Sequence, residues 1–343
     1  MLNPRKAQPG DRIAVLSPAF AGPAAGPEVH EQAMRRLQAL TGLLPVEYPT
    51  TREMDASPEA RAADVNAALA DPSIRALIAT IGGDDQILVT PHLDADLARA
   101  DPKPFVGHSD NTNIANWLWR LGIASFYGGS TQVHLGPGPQ VDDIHARSLR
   151  AALLDGGDVQ LTEPGESEDV GRHWDTPEAL TEFGDRESTE PWTWAGPARA
   201  VTGRTWGGCL EVVNQIALAD RMPSNDELAG TILALETSEE LTPPDAVAAQ
   251  LRAYGERGLL DAVAGVLFAR AAVSTFEVLP STAEKAALRA AQRDAVLDTV
   301  GRYNPDAVVC VGVPFGHTRP QWIVPYGGEI TLDGAARTVT GRY

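Results

Sequence analysis

Lysine is nearly missing from this 343-residue chain: Lys6, Lys103 and Lys285 are the only three among 28 basic residues, set against 46 acidic ones. The resulting formal charge of -18 is spread along the chain rather than gathered in a tail, which argues against a nucleic-acid polymer or an anionic membrane as partner. Cysteine is as scarce. Cys209 and Cys310 lie far apart, fit no zinc spacing or disulfide framework, and sit in apolar surroundings that suit buried free thiols. His-Glu-x-x-His and an EF-hand loop are both absent, so no metal is expected. No stretch approaches the roughly 18 apolar residues of a membrane span. The first residues hold only the short run Ile13-Ala14-Val15-Leu16, behind Pro4 and Asp11, so a signal-peptide core is lacking and the cytoplasm is the expected location.

Hydrophobic residues make up 43% of the chain, enough for a packed core, and 32 Gly with 26 Pro predict many loops. The length favours two domains. Strands are expected at 12–16, 43–48, 74–81, 104–107 and 124–127, with helices near 28–40, 57–69, 111–121 and 142–154 between and after them. That alternation predicts an α/β fold whose N-terminal parallel-sheet domain covers residues 1–150. Residues 151–200 break the pattern: glycines, acids and Trp174, Trp192 and Trp194 occur without a sustained period, as in a linker or a wall of a substrate cleft. A second α/β domain over 201–343 follows, with strands near 201–206, 231–235, 263–268 and 307–311 and helices near 209–219, 245–255 and 282–300.

The sharpest local signal is Phe105-Val106-Gly107-His108-Ser109-Asp110-Asn111-Thr112. It puts Ser109 between an apolar strand and a helix, where a tight turn exposes a hydroxyl beside free backbone N–H groups. A nucleophile elbow would carry glycine two residues before and two after the serine; Gly107 fits and Asn111 does not, so a plain helix cap is the competing reading. A serine nucleophile needs a base and an orienting acid. His317 follows an apolar strand in a loop loosened by Gly312 and Gly316, and Glu236 comes directly off the strand Thr231 to Leu235. Glu239 and Glu240 read as solvent-facing turn residues, His108 as packing or pocket lining, and His30, His92, His134, His145 and His173 as surface or cap histidines. Glu236 has its own bland reading as a turn acid. The Gly82-Gly83 loop and the N–H of Asp110 offer an oxyanion hole. Neither a Walker loop nor a Gly-x-Gly-x-x-Gly order is present, so no nucleotide cofactor is expected.

Taken in order, Ala14-Val15-Leu16-Ser17-Pro18, Ile81-Gly82-Gly83, Gly107-His108-Ser109-Asp110, Gly207-Gly208-Cys209-Leu210-Glu211, Leu235-Glu236-Thr237-Ser238-Glu239-Glu240 and Phe315-Gly316-His317-Thr318 resemble the LD-carboxypeptidase family of serine peptidases. Within it they are most similar to the branch of the microcin C self-immunity protein. The resemblance implies a C-terminal domain with a mixed-sheet, barrel-like core and a homodimer. It also implies a triad of Ser109, Glu236 and His317 across the domain cleft, with Gly83 and Asp110 as oxyanion donors. Two activities go with it: hydrolysis of an aminoacyl-nucleotide conjugate, or removal of terminal D-alanine from a muropeptide. Trp174, Trp192 or Trp194 could supply an aromatic platform for a base. A small-ligand-binding module without catalysis is the non-enzymatic alternative.

Overall fold

The computed structural model describes residues 1–343. Its strands are β1 (Arg12–Leu16), β2 (Leu44–Glu47), β3 (Ile74–Ala79), β4 (Phe105–Gly107), β5 (Ser125–Tyr127), β6 (Asp158–Leu161), β7 (Glu166–Ser167), β8 (Glu187–Ser188), β9 (Thr193–Ala195), β10 (Ala200–Cys209), β11 (Ile232–Glu236), β12 (Gly265–Ala269), β13 (Val308–Val313), β14 (Val324–Tyr326), β15 (Glu329–Asp333) and β16 (Thr338–Arg342).

The first sheet has the order β14-β5-β4-β3-β1-β2, and its first five strands in sequence run parallel. Alternate residues of β1 feed opposite faces, as the two-residue period of a strand requires. Ile13 and Val15 pack with Leu37 of the helix Pro27–Thr41, whereas Ala14 and Leu16 pack with Val65 and Leu69 of the helix Pro58–Ala70. Burying one such aliphatic side chain contributes about 1.5–3 kcal/mol, so both faces are committed to helices. The second of these helices starts where the sequence signals it: the Ser57 hydroxyl accepts the Ala60 N–H at 3.2 Å and Pro58 takes the first turn.

The second sheet has the order β6-β16-β15-β10-β11-β12-β13-β9 and is mixed. Strand β10 joins its two kinds of pairing: Ala200 to Arg204 run antiparallel to β15, and Thr205 to Cys209 run parallel to β11. The order is open, with edge strands β6 and β9 not bonded to each other, so no closed barrel forms. Residues 151–200 are thus only partly a connector, since β6 and β9 form both edges of this sheet and β7 pairs with β8 as a small ribbon.

The C-terminal part of the chain also returns to the first sheet. Strand β14 pairs antiparallel with β5, matching Val324 to Tyr127 and Tyr326 to Ser125. One buried cluster of 43 residues joins Ala115, Trp119 and Tyr127 to the apolar residues of β10 through β16. Strands β4, β5 and β11 therefore bring their carboxyl ends to a common seam, the usual place for a site in α/β sheets. No helix is long and apolar enough to cross a membrane.

Candidate active site

Ser109 sits just past β4 with φ at +61°, a left-handed conformation that a residue bearing a Cβ rarely adopts. A strained serine between a strand and a helix is the geometry of a nucleophile elbow. Buried polar groups fix the turn. The Gln86 backbone N–H donates to Asp110 Oδ2 and the Asn113 amide donates to Asp110 Oδ1, each at 2.8 Å. Burial pushes the Asp110 carboxyl up to about 6, against the pull of those hydrogen bonds. Asn111 occupies the place of the second elbow glycine. Its amide donates to Ile81 O at 3.0 Å and to His108 O at 2.9 Å, and a Cβ on Gly107 would stand only 2.9 Å from its side chain. The glycine before the serine therefore makes room for the asparagine after it.

Glu236 ends β11 fully buried, and its two oxygens have separate partners. The Oε2 atom lies 2.7 Å from His317 Nδ1, while Oε1 accepts the Tyr127 hydroxyl proton at 2.6 Å. That hydroxyl in turn accepts the Ser109 backbone N–H at 3.0 Å. A Cβ on Gly316 would sit 2.6 Å from Glu236 Oε2, so only glycine leaves the carboxylate its place beside His317. The other imidazole nitrogen, Nε2, lies at ion-pair distance, 2.9 Å, from Glu239 Oε2. Burial works against a charged imidazole here, yet the carboxylates of Glu236 and Glu239 outweigh it and hold His317 well above the ordinary histidine value. Ser109 and His317 line one cavity of about 630 Å³ without a direct hydrogen bond between them.

Gly83, His108, Glu240 and Trp174 line the same cavity. The Gly83 N–H has no partner within the chain and is free to receive an oxyanion. Asp110 N–H is likewise unpaired, close to the Ser109 side chain across Gly82. Trp192 and Trp194 lie elsewhere: both pack on the C-terminal core, and Trp194 stands opposite Cys310 where β9 pairs with β13. Cys209 and Cys310 are buried free thiols.

Three expectations from the sequence need correction. Glu239 does not simply face solvent; its side chain is 67% exposed but its carboxylate reaches the His317 imidazole. His134 and His145 are not surface histidines. His108, His134 and His145 stand in a row behind His317, at successive centroid distances of 5.2, 5.2 and 4.8 Å, and burial lowers the His108 and His145 values to about 4 each. His30 is buried too, with Nε2 at 3.1 Å from Glu47. Tyr127 is the site residue that sequence reasoning missed; its one signal was a polar-tipped aromatic at the end of a buried strand, which is also what an ordinary core residue looks like. No group of histidine, cysteine and acidic residues is placed to hold a metal.

Comparison with known proteins gives the following. Residues 13–128 match the model of the LD-carboxypeptidase N-terminal domain and residues 202–332 that of the C-terminal domain. A provisionally assigned carboxypeptidase of Vibrio cholerae is 29% identical over 235 residues, 67% of this chain and 68% of the relative. The microcin C7 self-immunity protein of Escherichia coli is 29% identical over 183 residues, 52% of each chain. Among solved structures, the microcin C7 self-immunity protein in complex with aspartyl sulfamoyl adenosine superposes with a TM-score of 0.84 at 22% identity, covering 100% of this chain and 99% of that one. A similar protein from Streptococcus pneumoniae in complex with AMP gives 0.83 at 24% identity, covering 97% and 99%.

Proposed function

The chain belongs to the LD-carboxypeptidase family and is a serine peptidase-like hydrolase, and from that premise we propose that Ser109 attacks an amide carbonyl with His317 as general base and Glu236 as the orienting acid. The observation that carries this reading is one cavity holding a serine at φ +61° together with an imidazole bonded at 2.7 Å to a fully buried carboxylate. A small-ligand-binding module would have no use for that pairing.

The steps follow from the groups present. Ser109 Oγ bonds to the carbonyl carbon as its proton passes to His317 Nε2, and the oxyanion is met by the N–H groups of Gly83 and Asp110. Glu236 stabilises the imidazolium so formed, and Tyr127 keeps the second carboxylate oxygen in place. The C–N bond then breaks and His317 returns the proton to the leaving nitrogen. Water enters by the same route, releasing the acid and restoring the serine.

For the substrate, an aminoacyl-nucleotide conjugate is the reading the cavity favours. Trp174 lines the cavity, where a base stacking on its indole would gain about 1–3 kcal/mol. A terminal carboxylate, as in a D-alanine-ended muropeptide, would face Asp84, Glu239 and Glu240. The cavity arginines are already engaged: Arg319 pairs with Glu168, and Arg172 with Glu182 and Asp185. The test is release of the amino acid from an aminoacyl sulfamoyl adenosine, with the nucleoside part recovered whole, compared with D-alanine release from a muropeptide tetrapeptide. Ser109→Ala should lower turnover by several orders of magnitude with the fold retained. A folded Ser109→Ala enzyme with near-normal turnover overturns the reading.

A further inference from the structure

The imidazole of His317 has two nitrogens, and neither is left open to Ser109. Nδ1 is taken by Glu236 at 2.7 Å, and Nε2, the atom that must receive the serine proton, is faced by Glu239 at 2.9 Å. A carboxylate beside each nitrogen favours a proton on both, and an imidazolium has no lone pair with which to act as a base.

The two carboxylates are held in very different ways. Glu236 is fully buried, ends a strand and is fixed by Tyr127. Glu239 projects from the loop that follows, with its side chain 67% exposed and His317 as its sole side-chain partner. The loop is fastened on either side of that tip by Glu211, which accepts the Ser238 N–H at 3.2 Å and the Thr242 hydroxyl proton, and by Gln292, whose amide donates to Thr242 O at 3.1 Å. At the tip itself, the Glu240 N–H turns back to Ser238 Oγ and Leu241 has φ at +57°. Ends fixed from below and a tip bonded only to itself let Glu239 leave His317 without disturbing Glu236.

We propose that Glu239 is a positioning residue that occupies His317 Nε2 in the free enzyme and must be drawn off before Ser109 can be deprotonated, an inference that rests on the triad reading above. When Glu239 withdraws, one carboxylate remains on the imidazole, the Nε2 proton passes to solvent, and the lone pair turns to the serine. The charged and titratable groups facing His317 are Glu236 from the end of β11, Glu239 from its loop and His108 from the turn after β4. Burial keeps His108 neutral down to about pH 4, so the two carboxylates set the protonation of the base.

The signs are definite. Glu236 and Glu239 raise the His317 pKa, and the basic form exists above it, so activity is lost as pH falls through that value. Removing the Glu239 charge lowers it. The pH dependence of kcat/KM, which reports the free enzyme, is measured for wild type, Glu239→Gln and Glu239→Ala with an aminoacyl sulfamoyl adenosine. The acid limb is expected to move down by about one unit, at the low end for a nearby opposite charge because Glu239 is largely exposed. On that limb the variants then run about tenfold faster relative to their own plateaus. The His317 ring resonance, titrated by NMR in a Ser109→Ala background with and without Glu239→Gln, should show the same downward move without any turnover. If limb and titration both stay where wild type has them while Ser109→Ala is inactive, the role of Glu239 is overturned alone. If Ser109→Ala or His317→Ala retains turnover, the triad reading falls and this inference with it.

Discussion

Replacing Tyr127 by Phe removes one oxygen atom that bridges the two halves of the site. The hydroxyl donates to Glu236 Oε1 at 2.6 Å and accepts the Ser109 N–H at 3.0 Å, and the ring is 1% exposed, so water cannot readily take over either bond. Burial first, and then the Glu236 charge, keeps this phenol protonated far above its usual value, so it remains a donor at any working pH. Losing a hydrogen bond to a charged acceptor costs about 1.5–3 kcal/mol, and a buried N–H left without an acceptor costs about 1–3 kcal/mol. The two losses share one atom and do not add in full, so a destabilisation of about 3 kcal/mol is expected. That corresponds to a Tm lower by about 4 °C for a chain of this size. Urea unfolding gives the stability change. Steady-state kinetics give the second readout: kcat should fall by about tenfold or more with KM little altered, since the defect lies in the alignment of Glu236 and Ser109 rather than in binding. Tyr326→Phe is the control. Its hydroxyl is equally buried but donates to Gly207 O at 3.2 Å, so it should cost about 1 kcal/mol and leave kcat unchanged. A Tyr127→Phe protein within about 0.5 kcal/mol of wild type and with full kcat would refute the bridge.

Gly316→Ala should cut kcat sharply while the chain still folds, because the new Cβ would meet Glu236 Oε2 at 2.6 Å; unchanged kinetics would show that the carboxylate yields without consequence. Trp174→Ala should lower kcat/KM on a nucleotide-linked substrate by about 1–3 kcal/mol and spare a peptide substrate, whereas equal losses on both would assign the ring to packing. For stability against pH, burial holds His145 at about 4 in the folded chain against 6.5 for a free imidazole. The unfolded chain therefore takes up the proton first as pH falls, and about 3 kcal/mol from this one group is lost between those two values. His145→Gln should flatten the stability curve over that window by about one proton, and a slope equal to that of wild type would contradict the burial argument.

The sequence was legible where a short apolar run ends in a polar residue. Phe105-Val106-Gly107 and Ile232 to Glu236 are buried throughout, so strands were the only economical reading and their ends pointed to Ser109 and Glu236. Strand β14 was not legible, because Val324-Pro325-Tyr326 is three residues long and carries a proline, which a sheet edge tolerates and a sequence pattern reads as a break. The hairpin of β15 and β16 was missed for another reason: its outward residues are charged or threonine, and only Ile330, Leu332 and Val339 mark the inner face. Trp192 and Trp194 misled because an edge strand lying on a core and an aromatic platform in a cleft have the same composition. Glu239 could not have been chosen over Glu240, since what separates them is a turn with Leu241 in the left-handed region.

The pairing of β14 with β5 also has a consequence for synthesis on the ribosome. Residues 1–150 contain the serine, its turn and five strands of the first sheet, but the outer edge of β5 finds its partner at Val324–Tyr326. A nascent chain released up to the end of that first region carries an unpaired edge through most of the remaining elongation, an invitation to sticking between polysomal neighbours. Tyr127 lies on that same edge strand, so the residue tying Ser109 to Glu236 is seated only when nearly the whole polypeptide has emerged. Hydrolytic activity should therefore appear late and all at once in a translation time course, and a nascent fragment halted before residue 324 should depend on a chaperone that shields sheet edges.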